Sequence, residues 1–272
     1  MKTTYVFILI LLLACTLKLQ AWNGHTPAGA RVWGMGGISI TLSDPWAAYN
    51  NQAGLGHLKK FGAGIAVENR FGMKELSGTT IVTAFPTKQG TFGLTYHGFG
   101  QSSFLEQKIG LAYGRAFTKH FAFGFQINYL NTSIPAYGNN HKVCIEGGIQ
   151  VQLLKELSFG AHVFNPTLTK MAEYNNERIP LLARMGLTYE PSQKLMICAE
   201  LEKNSSYPLS VRTGLEYRIN DKVALRAGLS TRPFLSTFGF RIQIKKLSID
   251  IASGYHQLLV FTPHLSLNYQ RK

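Results

Sequence analysis

After residue 21 the 272-residue chain has no apolar run approaching the length of a membrane helix, so any membrane role must fall to a closed barrel of strands. Cysteine is nearly absent. Cys15 lies in the leader, and Cys144 and Cys198 fall on segments placed several strands apart, which excludes a disulfide framework and any zinc-type spacing. Acidic residues are few, 14 against 28 Lys and Arg, giving a formal charge of +14. Yet no segment interleaves clustered basic residues with aromatics, which counts against nucleic acid as a partner. Glycines 34, 36 and 37 are followed by Ile38 and Ser39 rather than Lys and Ser or Thr, so they form no phosphate-binding loop.

What the chain does have is a two-residue period, repeated segment after segment. Near the C-terminus Leu259, Phe261, Leu265, Leu267 and Tyr269 share one face, opposite Thr262, His264, Ser266, Asn268 and Gln270. Leu247, Ile249, Ile251 and Tyr255 repeat the pattern against Ser248, Asp250, Ala252 and Gly254. Fourteen such segments are expected, near 59–70, 76–86, 89–99, 103–117, 119–131, 141–154, 155–164, 178–190, 193–203, 208–219, 221–231, 234–245, 246–256 and 258–270. Many exceed the usual globular strand and suit a tilted strand crossing a bilayer. Aromatics such as Tyr113, Phe117, Phe121, Tyr189 and Tyr255 gather near strand ends, as interfacial girdles do. The fold class is therefore all-β: a transmembrane antiparallel barrel of about 14 strands. Short links at Thr118–His120, Lys155–Glu156, Asn220–Lys222 and Lys245–Lys246 contrast with longer ones at 131–140 and 165–176.

The register facing the lumen mixes both signs. Glu68, Glu146, Glu200, Glu202, Glu216 and Asp250 share it with Lys108, Arg184, Arg212, Arg218, Arg226, Arg241 and Lys245. Burying these singly is prohibitive, so they must pair or line water. Arg115 instead falls on the apolar face beside Tyr113 and Phe117, where a long basic side chain can snorkel to the head groups.

The N-terminus divides into two further parts. Lys2, the apolar run Tyr5–Ala14 and a mixed stretch to Ala21 read as a secretory signal peptide over 1–21, which implies export and an outer-membrane location. Leu12-Leu13-Ala14-Cys15 also resembles a lipoprotein processing box. Residues 22–57 are Gly-rich, carry Trp22, Trp33 and Trp46, and lack the strand period that fills 58–272. Asp44-Pro45 is a good N-cap and first-turn pair for a short helix through Tyr49, with Asn50, Asn51 and Gly54 ending it.

Gly29 to Arg31, Gly34 to Gly37, Asp44, and Tyr49 through Leu55 fill in order a run that resembles the start of FadL-like outer-membrane barrels. Their PorV/PorQ branch, associated with type IX secretion, is the nearer resemblance. Gln52 departs from the run by replacing its proline, which removes a rigid turn. The resemblance implies that the N-terminal segment is a hatch in the lumen, with Trp33, Gly34, Gly36, Gly37, Asp44, Trp46, Asn50, Asn51 and Gly54 as its hatch or ligand-binding residues. It also implies a non-enzymatic accessory of type IX protein secretion, contacting outer-membrane lipid and type IX components or cargo through loops 131–140 and 165–176. The alternative is a FadL-like passive channel for hydrophobic small molecules, with a fatty-acid-like ligand between hatch and wall near Trp33, Trp46, Leu55 and Phe85. No cofactor is implied. His97, His162, His256 and His264 form no local catalytic constellation.

Overall fold

A computed structural model describes residues 26–135, 138–171, 178–257 and 260–271. The expected leader over 1–21 with its Cys15, together with Trp22 and Leu259, lies outside the described residues.

The alternating segments form a single closed antiparallel barrel. In chain order its strands are β1 Gly62–Asn69, β2 Ser77–Pro86, β3 Thr91–Gln101, β4 Phe104–Ala116, β5 Phe121–Ile134, β6 Gly138–Leu154 and β7 Leu157–Phe164. They continue as β8 Leu182–Ser192, β9 Leu195–Asn204, β10 Ser210–Arg218, β11 Val223–Thr231, β12 Phe234–Ile244, β13 Leu247–His256 and β14 Val260–Gln270. Each strand pairs with its sequence neighbour, and β1 closes on β14 from Gly62 opposite Gln270 to Glu68 opposite His264. Closure leaves no open edge, which a bilayer requires because exposed peptide groups find no partner in lipid. No described helix is long and apolar enough to cross a membrane.

Register assigns each side chain to lipid or lumen. On β13 Leu247, Ile251 and Tyr255 point outward and are exposed, while Ser248, Asp250 and Ala252 point inward and are buried. The outer wall is apolar along its length, and aromatic pairs mark both ends. Phe61 meets Phe85 at 5.1 Å and Phe92 meets Tyr113 at 5.1 Å at one end, and Tyr255 meets Phe261 at 5.2 Å at the other. Arg115 is outward and exposed, its guanidinium 5.5 Å from the Phe117 ring.

Two expectations need correction. The 131–140 stretch is mostly not a loop: β5 and β6 continue pairing out to Ile134 opposite Gly138, because ladder hydrogen bonds extend past the point where alternation fades. Lys245 does not face the lumen. It occupies the β12–β13 turn with φ 54 and is exposed to solvent. The 165–176 connection does run outside the strands, between Phe164 and Leu182, with residues 172–176 beyond the described ones.

The apolar core lies between the wall and the N-terminal segment, which occupies the lumen. Val32, Met35, Ile38 and Leu42 pack with Met196 and Cys198 of β9. Ala47, Ala48, Leu55 and Leu58 pack with Ala84 and Ala112, and Trp46 and Tyr49 with Ala66 and Val82. Cys144 and Cys198 are both free and buried.

Candidate functional site: the plugged lumen

The segment from Ala28 to His57 enters a lumen whose walls are rich in glycine, and its backbone lies directly on them. Gly36 has φ 74, and a Cβ there would meet the Leu229 carbonyl at 2.9 Å. Only glycine satisfies both demands. The wall reciprocates, since a Cβ on Gly228 would collide with the Gly36 amide nitrogen and one on Gly124 with the Gln52 carbonyl.

Polar groups then fix the plug in place. The Ala30 amide donates to Ser266 Oγ at 2.6 Å and the Gly36 amide to Thr237 Oγ1 at 2.8 Å. The Ser39 amide donates to Glu200 Oε2 at 2.9 Å, Arg212 Nη1 to the Gly37 carbonyl at 2.9 Å, and Trp46 Nε1 to Asn268 Oδ1 at 2.6 Å. Within the plug, Asn50 accepts from the Ala28 amide and donates to its carbonyl, and Asn51 donates to the Ile40 carbonyl at 2.6 Å. Asp44 Oδ1 accepts from the Trp46 amide at 3.0 Å in the turn before the short helix Ala47–Asn50, whose N-cap is Trp46 rather than the expected Asp44.

Arg31 is the main electrostatic anchor. Its guanidinium grips Glu216 through Nε at 2.9 Å and Nη2 at 3.0 Å, and donates Nη1 to Asp44 at 3.0 Å. Burial opposes its charge, but Glu216 and Asp44 outweigh burial and raise its pKa above the usual arginine value. Glu216 also accepts from Arg226 at 2.8 Å and Arg218 at 3.0 Å, and Arg226 passes on to Asp250 at 2.6 Å. A second chain runs from Gln52 Nε2 to Gln126 Oε1 at 3.3 Å, from Gln126 to Asn128 at 2.6 Å, and from Asn128 to Glu146 at 2.8 Å. Lys108 donates to Glu146 at 3.0 Å and lies 4.0 Å from the centre of the Tyr49 ring. Burial, then the Glu146 charge, raises the Tyr49 pKa and keeps the phenol neutral. At the exit of the plug, burial followed by Lys59 lowers the His57 pKa.

Above the plug, on the side of the longer loops, lies a cavity of about 530 Å³. Trp33, Phe71, Leu182, Tyr207 and Leu235 supply apolar lining, with Arg184, Arg212 and Glu202 on the polar side. Trp33 forms part of its floor and stacks on His264, with centroids 4.6 Å apart and planes 11° from parallel. Arg184 and Arg212 both bind Glu202, at 2.6 and 2.7 Å, so their charge is partly spent within the wall. Among the described residues no cluster of three His, Cys, Asp or Glu side chains is placed to hold a metal.

Of the residues singled out in the sequence, Trp33 and Gly36 border this cavity. Gly34 and Gly37 rest on the wall, at Gly239 and Arg212. Asp44 pairs with Arg31, and Trp46, Asn50, Asn51 and Gly54 are buried inside the plug. Phe85 is not in the cavity. It points to lipid, half exposed beside Phe61, because it falls on the outward register of β2. Leu55 is buried against Ala84 and Ala112 below the cavity. Arg31 lies inside the Gly29–Leu55 motif, but its partner Glu216 is 185 positions away and no local signal announces the pair. Phe71, at φ 58 in the β1–β2 connection, likewise had no periodic cue.

No protein-family model matches the chain, and no curated protein matches it in sequence. Solved structures do. The Ralstonia pickettii toluene transporter TbuX aligns over 91% of this chain and 99% of its own, at 13% identity and a TM-score of 0.70. The Pseudomonas putida toluene transporter TodX aligns over 91% and 99%, at 13% identity and 0.69. A Pseudomonas aeruginosa FadL homologue aligns over 90% and 98%, at 14% identity and 0.61. The chain has the fold of these FadL-type barrels. That agrees with the FadL-like half of the sequence resemblance. The PorV/PorQ half draws no support from these matches.

Proposed function

We propose that the protein is a passive outer-membrane channel for hydrophobic small molecules, of the fatty-acid or monoaromatic kind. The carrying observation is the cavity of about 530 Å³ between the plug and the longer loops, large enough for such a ligand and apolar on the Trp33, Phe71, Leu182 and Leu235 side. The likeness in fold to toluene transporters supports this reading. The ligand gains by leaving water for the Trp33 side of the cavity, and the plug below keeps the lumen closed to bulk water and ions. Movement of that plug, as a hatch, is the step that completes passage.

The test is uptake into proteoliposomes holding the purified barrel, with toluene and a long-chain fatty acid compared against glucose. Faster entry of either apolar solute, reduced several-fold by Trp33→Ala, is the expected result. Equal rates with and without the barrel would remove the channel reading.

The motif from Gly29 to Leu55 favours a second reading, an accessory of type IX secretion. Against it stands the β5–β6 ladder, which pairs out to Ile134 opposite Gly138 where a docking loop was expected. Cross-linking in cells followed by purification in mild detergent separates the two. Type IX components would come down with the barrel on this reading and not on the first.

A further inference from the structure

We propose that the short-turn rim of the barrel is a ring-shaped docking surface for anionic phospholipid head groups. Six connections close this end, and each carries lysine. Lys88 lies between β2 and β3, Lys119 between β4 and β5, Lys155 between β6 and β7, and Lys194 between β8 and β9. Lys222 lies between β10 and β11, and the β12–β13 turn holds both Lys245 and Lys246. All seven are exposed. Where the barrel closes, Lys59, Lys60 and Arg271 continue the ring, with the Arg271 amide bound to the Phe61 carbonyl at 3.0 Å. The exposed acids in these turns are Glu156 and Asp221 alone.

Three observations point to lipid. First, most charges inside the barrel are met by one another, as in the chain Arg31, Glu216, Arg226 and Asp250, so the basic excess of the sequence is carried largely by the rims. Second, the lysines lie just beyond the belt of Phe85, Phe92, Tyr113, Phe117 and Phe121 on the outer wall, which is the level of the head groups. Third, the charge is distributed one turn at a time around the circumference. A globular partner would touch one side, whereas an annulus of lipid meets every turn. Lysine suits this role, because a compact ammonium on a flexible stem can reach phosphate from an apolar wall. Short turns of such barrels face the periplasm, where the adjoining leaflet offers phosphodiester head groups.

The test is native mass spectrometry of the full-length barrel in mild detergent with equal amounts of phosphatidylglycerol and phosphatidylcholine of matched chains. Wild type is expected to retain phosphatidylglycerol with a preference of roughly tenfold, falling as salt rises. Replacing all seven turn lysines with Gln should remove most of the preference, leaving only what Lys59, Lys60 and Arg271 retain, while Lys74→Gln, Lys142→Gln and Lys203→Gln at the opposite end should leave it intact. Equal retention of both lipids by wild type, or a preserved preference in the seven-residue variant, overturns the proposal. If that variant does not assemble, the half sets at 88, 119 and 155 or at 194, 222, 245 and 246 take its place. Each should lower the preference about threefold, and no change in either is equally decisive against it.

Discussion

At the scale of single residues, the plug is held by pairs that cannot be removed one member at a time. Glu216 has no exposed surface and accepts from Arg31, Arg226 and Arg218. Glu216→Gln should cost about 3–5 kcal/mol, because it leaves buried guanidinium groups without their counter-charge. Asp44 is more accessible, with 16% of its side chain exposed, and Asp44→Asn should cost about 1 kcal/mol. Urea midpoints of the refolded barrel in detergent measure both, and equal losses would contradict the burial argument. Steric fit gives a second residue-level expectation. Gly228→Val would drive a side chain into the Gly36 backbone and should both destabilise the barrel and raise its ion conductance. Gly254→Val, whose nearest atom is 3.8 Å away, should do neither.

At the scale of elements, the two faces of each strand obey different rules. Ile251 is half exposed on the outer wall and would sit in hydrocarbon, so Ile251→Arg should cost about 2–4 kcal/mol and lower the folded fraction in heat-modifiability gels. Thr262→Arg, which faces the cavity, should assemble normally. Ser248 makes a poorer inward control than its register suggests, since it is buried and accepts from Asn268 Nδ2 at 3.1 Å. The strands were legible in the sequence because a bilayer on one side and a polar lumen on the other force strict alternation, and all fourteen expected segments became strands. Their ends were less legible. At 131–140 the side chains Asn131, Thr132, Ser133, Asn139 and Asn140 give no apolar face, yet the backbone ladder continues because its hydrogen bonds need no particular side chains.

At the scale of the whole molecule, barrel and plug form one folded unit, since the apolar clusters around Val32, Ala47 and Trp46 each combine plug and wall. Removing residues 26–52 should still leave an assembled barrel, closed by its own β1–β14 ladder, but one that unfolds at lower urea and leaks small solutes into liposomes. Loss of the entire barrel would instead make the plug part of the folding nucleus. The sequence by itself determined the strand number, from the count of alternating segments, and most lipid-facing and lumen-facing positions, Phe85 and Lys245 excepted, because facing follows from a two-residue period within one segment. Only the tertiary structure decided which charges pair, which glycines receive the plug and where the cavity lies. Those depend on residues such as Arg31 and Glu216, or Gly36 and Gly228, that closure of the barrel brings together from opposite ends of the chain.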